Sequence, residues 1–262
     1  MTASREGLWE WARAVVDRHR TAEDPAGGEL YQTSTMTALL AGVYDGAVSV
    51  GELLRHGDFG LGTFNHLDGE MIVLDGVCHH LRSDGTASVA DLDANTPFAA
   101  VTRFVPGHEE TVAAPADWAA VTGRVDALVD NPNAMCAVRI RGRFTTIDTR
   151  TVTEQSRPYP PLVEATAGQA LTRFDDVTGT LAGFRMPDYD QGISVSGFHL
   201  HFLTDDQARG GHCLDFEMVE GTVELAVLTD LHLSVPQTEA FRDAALSAAD
   251  TADQIRRTEG GH

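Results

Sequence analysis

Gly197-Phe198-His199-Leu200-His201, followed by Gly210-Gly211-His212, has residue types and spacing that suit a metal. Residues two apart on a β-strand project from the same face, so His199 and His201 are expected side by side. Asp205-Asp206-Gln207-Ala208-Arg209-Gly210-Gly211 supplies turn chemistry that can return His212 on the neighbouring strand. Three converging imidazoles suit a divalent ion of the zinc class and leave an open position for a substrate. A His-x-His pair alone is often only packed or polar. The third histidine after a double glycine is what favours the metal. A closed structural site would need a fourth ligand, and Cys213, adjacent to His212 on the same strand, points to the opposite face.

The elements that must position these residues read as α+β: two mixed or antiparallel β-sheet halves with flanking helices, the metal site on strands of the C-terminal half. Residues 1–28 are expected to form a helical arm and linker, with Leu8, Trp9, Ala12, Val15 and Val16 at helical spacing over 6–20. Residues 29–157 form the N-terminal half. Met36, Leu39, Leu40 and Val43 mark a helix stopped at Asp45-Gly46, and Ser49 caps another from Val50 to Arg55. From Gly57 the period changes to that of an antiparallel meander: Phe59 to His66, a Leu67-Asp68-Gly69 turn, Glu70 to Leu74, and Val77 to Leu81. Strands over Phe98–Val105 and Ala134–Val152 flank a helix from Asp117 to Val129. Pro158-Tyr159-Pro160-Pro161 is a rigid joint opening the second half, residues 158–262. There Leu162–Phe174 is read as helix. Strands are expected around Thr180–Arg185, Phe198–Leu203, His212–Val219 and Thr222–Leu228, and Pro236 opens a terminal helix reaching about Arg257.

Composition narrows the partners. A formal charge of −20 and a pI near 4.7 disfavour nucleic acid and anionic membranes. No apolar stretch approaches a membrane span, and the charged N-terminal residues do not read as a signal peptide, which points to a cytoplasmic protein. Three widely spaced cysteines give no disulfide framework. All 19 basic residues are arginine. Without lysine, Schiff-base chemistry is excluded, so carbonyl chemistry here must rely on a metal or hydrogen bonds as its electron sink.

Three further residues carry no signal by themselves: Glu70 after Asp68-Gly69, Arg150 at the end of a strand pattern, and Glu259 near the C-terminus. The sequence around them nevertheless resembles α-acetolactate decarboxylases. The likeness rests on Tyr31-Gln32-Thr33-Ser34-Thr35-Met36, Leu40-Ala41-Gly42-Val43-Tyr44-Asp45-Gly46, His56-Gly57-Asp58-Phe59-Gly60-Leu61-Gly62-Thr63-Phe64, Leu67-Asp68-Gly69-Glu70-Met71-Ile72, Arg157-Pro158-Tyr159-Pro160-Pro161-Leu162 and the histidine block, in that order. The resemblance implies a catalytic Zn2+ on His199, His201 and His212. It implies catalytic roles for Glu70, Arg150 and Glu259, with Thr63 and Arg150 at the substrate. It further implies conversion of the small-molecule substrate (S)-2-acetolactate to (R)-acetoin and CO2. Together with exposed strand edges, it makes a homodimer the expected state. Cys78-His79-His80 departs from the family's more aromatic segment, and the N-terminal arm is long.

Two other readings compete. A cupin-type metalloenzyme also uses His-x-His, but it wants a glutamate shortly after the pair and a distant third histidine. Here only Asp205 and Asp206 follow, and His212 is close. A non-catalytic, metal-stabilised binding module for small acids predicts ligand affinity without CO2 release.

Overall fold

Alternating side chains form fourteen strands in the computed structural model, which describes residues 28–129, 131–247 and 251–259. The expected leading helix over 6–20 lies outside the described residues. The strands are β1 (Gly28–Thr33), β2 (Val48–Ser49), β3 (Phe59–Thr63), β4 (Glu70–Leu74), β5 (Val77–Leu81), β6 (Ala87–Val89) and β7 (Asn95–Thr96). They continue with β8 (Phe98–Thr102), β9 (His108–Val112), β10 (Ala116–Asp117), β11 (Met135–Thr151), β12 (Ala170–Met186), β13 (Gly197–Thr204) and β14 (Gly210–Ser234). The helices are short: α1 (Met36–Leu40), α2 (Val50–Leu53), α3 (Trp118–Leu128), α4 (Leu162–Ala165), α5 (Glu239–Asp243) and α6 (Thr251–Glu259). Their N-caps follow local chemistry. Thr35 accepts from Ala38 N, Ser49 from Glu52 N and Asp117 from Ala120 N.

This is an α+β fold, as the sequence pattern predicts. Twelve strands make one sheet in the order β11-β12-β13-β14-β1-β8-β3-β4-β5-β6, with β9 and β10 joined to β14. β2 and β7 pair separately. β1 runs parallel to β14, and the other ladders are antiparallel. β11 pairs with β14 as well as with β12, so β11, β12, β13 and β14 close on themselves. Phe144, Phe174, Phe202 and Phe216 belong to the apolar cluster of these strands, with ring centroids 5.4–6.0 Å apart. Each such ring removed from water contributes about 2 kcal/mol, so these strands form a stiff platform. A different apolar cluster joins Met36, Leu39, Leu67, Phe98, Leu162 and Ile255, where α1, α4 and α6 meet.

Three expectations are corrected. The helix from Leu162 ends early: α4 is followed by a single 3-10 turn over Thr166–Gly168, and β12 begins at Ala170. Phe174 is buried while Leu171 and Arg173 are exposed, and this whole stretch pairs with β11. The strands expected over His212–Val219 and Thr222–Leu228 are one 25-residue strand. Gly221, which falls in the gap between those two expected strands, lies opposite Gly142 in the ladder. A Cβ on Gly221 would stand 2.1 Å from Arg141 O, so the glycine permits close strand approach. The terminal helix is divided into α5 and α6, with Ala244 already extended after α5.

Candidate metal centre and pocket

The strand ladder assembles the histidines directly. His199 and His201 lie on one face of β13, and His201 stands opposite His212 on β14. The next residues toward the turn, Gly211 and Gly210, pair with Phe202 and Leu203. A Cβ on Gly210 would meet Phe202 O at 2.2 Å and one on Gly211 the Thr149 side chain at 2.9 Å, which accounts for the double glycine before the third histidine. Ring centroids are 4.9–5.2 Å apart, and one nitrogen from each ring lies within 4.8 Å of the others. All three residues are buried. Cys213 is not part of the group.

Proton positions decide whether this group suits a cation. Burial, with Arg150 adding to it, pushes His199 down to about 3. Burial likewise holds His201 and His212 well below the ordinary histidine range, so all three are neutral near pH 7. His201 Nδ1 stands 2.7 Å from Met71 O and His212 Nε2 3.1 Å from Glu259 O. A carbonyl can only accept, which puts the His201 proton on Nδ1, while His212 Nε2 also meets the Arg150 Nη2 donor at 3.4 Å. His201 Nε2 therefore turns a lone pair toward His212 Nδ1, 3.3 Å away. A buried lone pair aimed among neutral imidazoles is favourable around a cation. The buried group is thus fit to bind a metal.

Arg150 is paired with His212 across the β11–β14 ladder, so it emerges beside the histidines. Its Nη2 donates to Glu259 Oε2 at 2.9 Å and its Nη1 to Gln169 Oε1 at 3.2 Å, while its buried Nε has no partner among the described residues. Glu259, the last residue of α6, brings Oε2 to 3.6 Å from His199 Nε2 and 3.7 Å from His212 Nδ1. Glu70 opens β4 opposite Thr63 and reaches 3.8 Å from His201 Nε2 with Oε2. Its Oε1 accepts from Val152 N at 3.4 Å. Burial raises Glu70 to about 7 against the opposing charge of Arg150, and burial also raises Glu259. Thr63 is the register partner of Glu70 across the β3–β4 ladder. Its hydroxyl donates to Gly69 O at 2.6 Å and pins the turn that presents Glu70.

All the residues singled out in the sequence therefore gather at one place. Glu70, Arg150, His199, Glu259 and Thr63 line one pocket, whose other walls include Met36, Leu67, Phe98 and Leu162. Gln169 and the Met71 carbonyl were not anticipated. A backbone oxygen leaves no trace in residue type, and Gln169 belonged to the segment read as helix.

Three buried neutral imidazoles that could hold a metal ion stand beside one arginine and two carboxylates at a single pocket. Residues 30–248 match the family model for alpha-acetolactate decarboxylase. The chain is 47% identical over 219 residues to the alpha-acetolactate decarboxylase of Methylococcus capsulatus, covering 84% of each chain. It is 41% identical over 241 residues to that of Bacillus subtilis, covering 92% of this chain and 94% of the relative. The crystal structure of alpha-acetolactate decarboxylase from Bacillus subtilis strain 168 superposes with a TM-score of 0.87 at 41% identity, over 89% of this chain and 100% of that one. The chain belongs to the alpha-acetolactate decarboxylase family. Glu259 lies beyond the residues the family model matches, so its place beside the histidines comes from the geometry.

Proposed function

We infer that this protein decarboxylates (S)-2-acetolactate to (R)-acetoin and CO2. The observation that carries the reading is the convergence of Arg150, Glu70 and Glu259 on the three-histidine group within an apolar-walled pocket. His199, His201 and His212 would hold the metal, zinc in this reading. When bound, it supplies Lewis-acid charge to substrate oxygens that become more negative as CO2 leaves.

The chain's own residues account for the rest. Breaking the C–CO2 bond leaves an electron pair that spreads from the carbinol carbon onto the ketone oxygen, giving an enediolate that must then be protonated. Arg150 attracts the substrate carboxylate, and its Nε, without a partner among the described residues, offers a free donor. Arginine is a poor acid, so its role is charge positioning. Glu70, raised to about 7, is near balance between acid and carboxylate at neutral pH. It suits the task of holding the hydroxyl proton and returning a proton to carbon. Glu259 orients Arg150 through their ion pair. Delivery of the proton from one wall of the pocket yields one handedness of acetoin.

A homodimeric, cytoplasmic enzyme belongs to the same reading; light scattering tests the dimer. No described helix is long and apolar enough to cross a membrane. The activity is tested by incubating the protein with racemic acetolactate and resolving the product on a chiral column. A single enantiomer of acetoin is expected. A racemate formed at the spontaneous rate would contradict the assignment.

A further inference from the structure

Two sequence motifs have no part in the chemistry above, Tyr44-Asp45-Gly46 and Arg157-Pro158-Tyr159-Pro160-Pro161-Leu162. They meet at the rim of the pocket, on either side of the Asn65–Leu67 turn. The Tyr159 hydroxyl donates to Asp45 Oδ1 at 3.0 Å, and with its only proton committed it accepts from His66 Nδ1. Arg157 Nη2 donates to Asp45 Oδ2, and its guanidinium lies 5.8 Å over the Tyr159 ring. Backbone contacts tighten the knot. His66 N donates to Tyr44 O at 2.9 Å, Gln155 N to His66 O at 2.7 Å, and the Asn65 side chain bonds both Gly46 N and Gly46 O. On the other side, the Tyr44 hydroxyl donates to Pro160 O at 2.8 Å.

This knot holds a strained backbone. His66 and Leu67 have φ of +67° and +55°, a left-handed conformation that a leucine keeps only when its surroundings impose it. Leu67 is fully buried and lines the pocket, as does Leu162, which follows the Pro158–Pro161 segment. The two leucines lie in one apolar cluster. Asp45, Tyr159 and His66 thus tie together the two segments that present them.

We propose that Asp45, Tyr159 and His66 are specificity-determining residues: they clamp Leu67 and Leu162 at a fixed spacing and so limit the alkyl group that the pocket accepts. The inference rests on the decarboxylase reading. Neither Asp45 nor Tyr159 lines the pocket, so both act through Leu67 and Leu162 as positioning residues.

The test compares kcat/KM for 2-acetolactate and its ethyl homologue 2-aceto-2-hydroxybutyrate in wild type, Tyr159→Phe, Asp45→Ala and Leu67→Ala. A methylene in an apolar pocket is discriminated by about tenfold or more, so loosening the clamp should raise the ethyl-to-methyl ratio about fivefold. Tyr159→Phe keeps the ring and removes only the linking hydroxyl, which separates the clamp from gross unfolding. Leu67→Ala should raise the ratio directly, and adding Tyr159→Phe to it should change the ratio little further. An active wild type with an unchanged ratio in Tyr159→Phe and Asp45→Ala overturns the clamp alone. Full additivity with Leu67→Ala also overturns it. A wild type that releases CO2 from neither substrate overturns the decarboxylase reading beneath it.

Discussion

The inner and outer halves of the pocket are built in different ways. On the inner side, His199, His201, His212 and Arg150 project from adjacent strands of the closed four-stranded unit, and ladder register alone sets their spacing. On the outer side, α1, α4 and α6 and the Asn65–Leu67 turn meet through side-chain packing and scattered polar contacts. The longest of those three helices has nine residues, too short to persist without tertiary packing. The inner half is thus a rigid donor set, and the outer half is a wall that shapes and completes it. Damage to the inner half should abolish metal binding. Damage to the outer half should leave the metal and alter turnover or selectivity.

The strongest way to break that division is His201→Ala. It should lose the metal and lower turnover by about 10²–10³-fold or more, read by elemental analysis and an acetoin assay. Retained metal with full turnover would remove the inner half from the chemistry. Glu70→Gln, on β4 and facing His201 across the pocket, should keep the metal and lower turnover by about 10²–10⁴-fold, the range for loss of a positioned acid or base. Ile255→Ala loosens the buried anchor of α6 and with it Glu259. It should leave metal content unchanged while reducing kcat about tenfold, a loss of orientation of Arg150. A fall in metal content in this variant would show that the two halves are not separable.

The smallest effect concerns pH. Burial raises Glu70 to about 7 from an ordinary value of 4.5, so the folded protein favours the protonated acid. That contribution is complete below the unfolded value and is lost as pH rises through the folded one. In urea denaturation of metal-free protein, Glu70→Gln should therefore gain stability relative to wild type between pH 5 and pH 8. A constant difference across that range would mean that Glu70 is not held as an acid.

How far the sequence could be read follows the same division. The histidine block was legible because a period of two and a glycine-rich turn are local, and both survive in β13 and β14. Glu70, Arg150 and Glu259 stand out only through family likeness. The contacts that unite them span separations such as 109 residues between Arg150 and Glu259, which no local pattern encodes. The meander from Phe59 to Leu81 was legible for its alternation and its Asp68-Gly69 turn. Errors arose where one residue type serves two purposes. Gly221 falls in the gap between two expected strands and is instead a point of close strand contact, and the apolar residues after Leu162 fit helix or strand until pairing with β11 decides. The rim clamp was invisible for a further reason: Asp45 reads as a helix stop, His66 as a strand end and Tyr159 as part of a rigid joint, and only the fold unites them.

The most direct test is to strip the metal with a chelator, measure acetoin formation from acetolactate, and then titrate zinc back while counting bound metal. Turnover should vanish on stripping and return in proportion to zinc, saturating at one ion per chain. Undiminished turnover in metal-free protein, or full zinc occupancy without CO2 release, would contradict the central assignment of the three histidines.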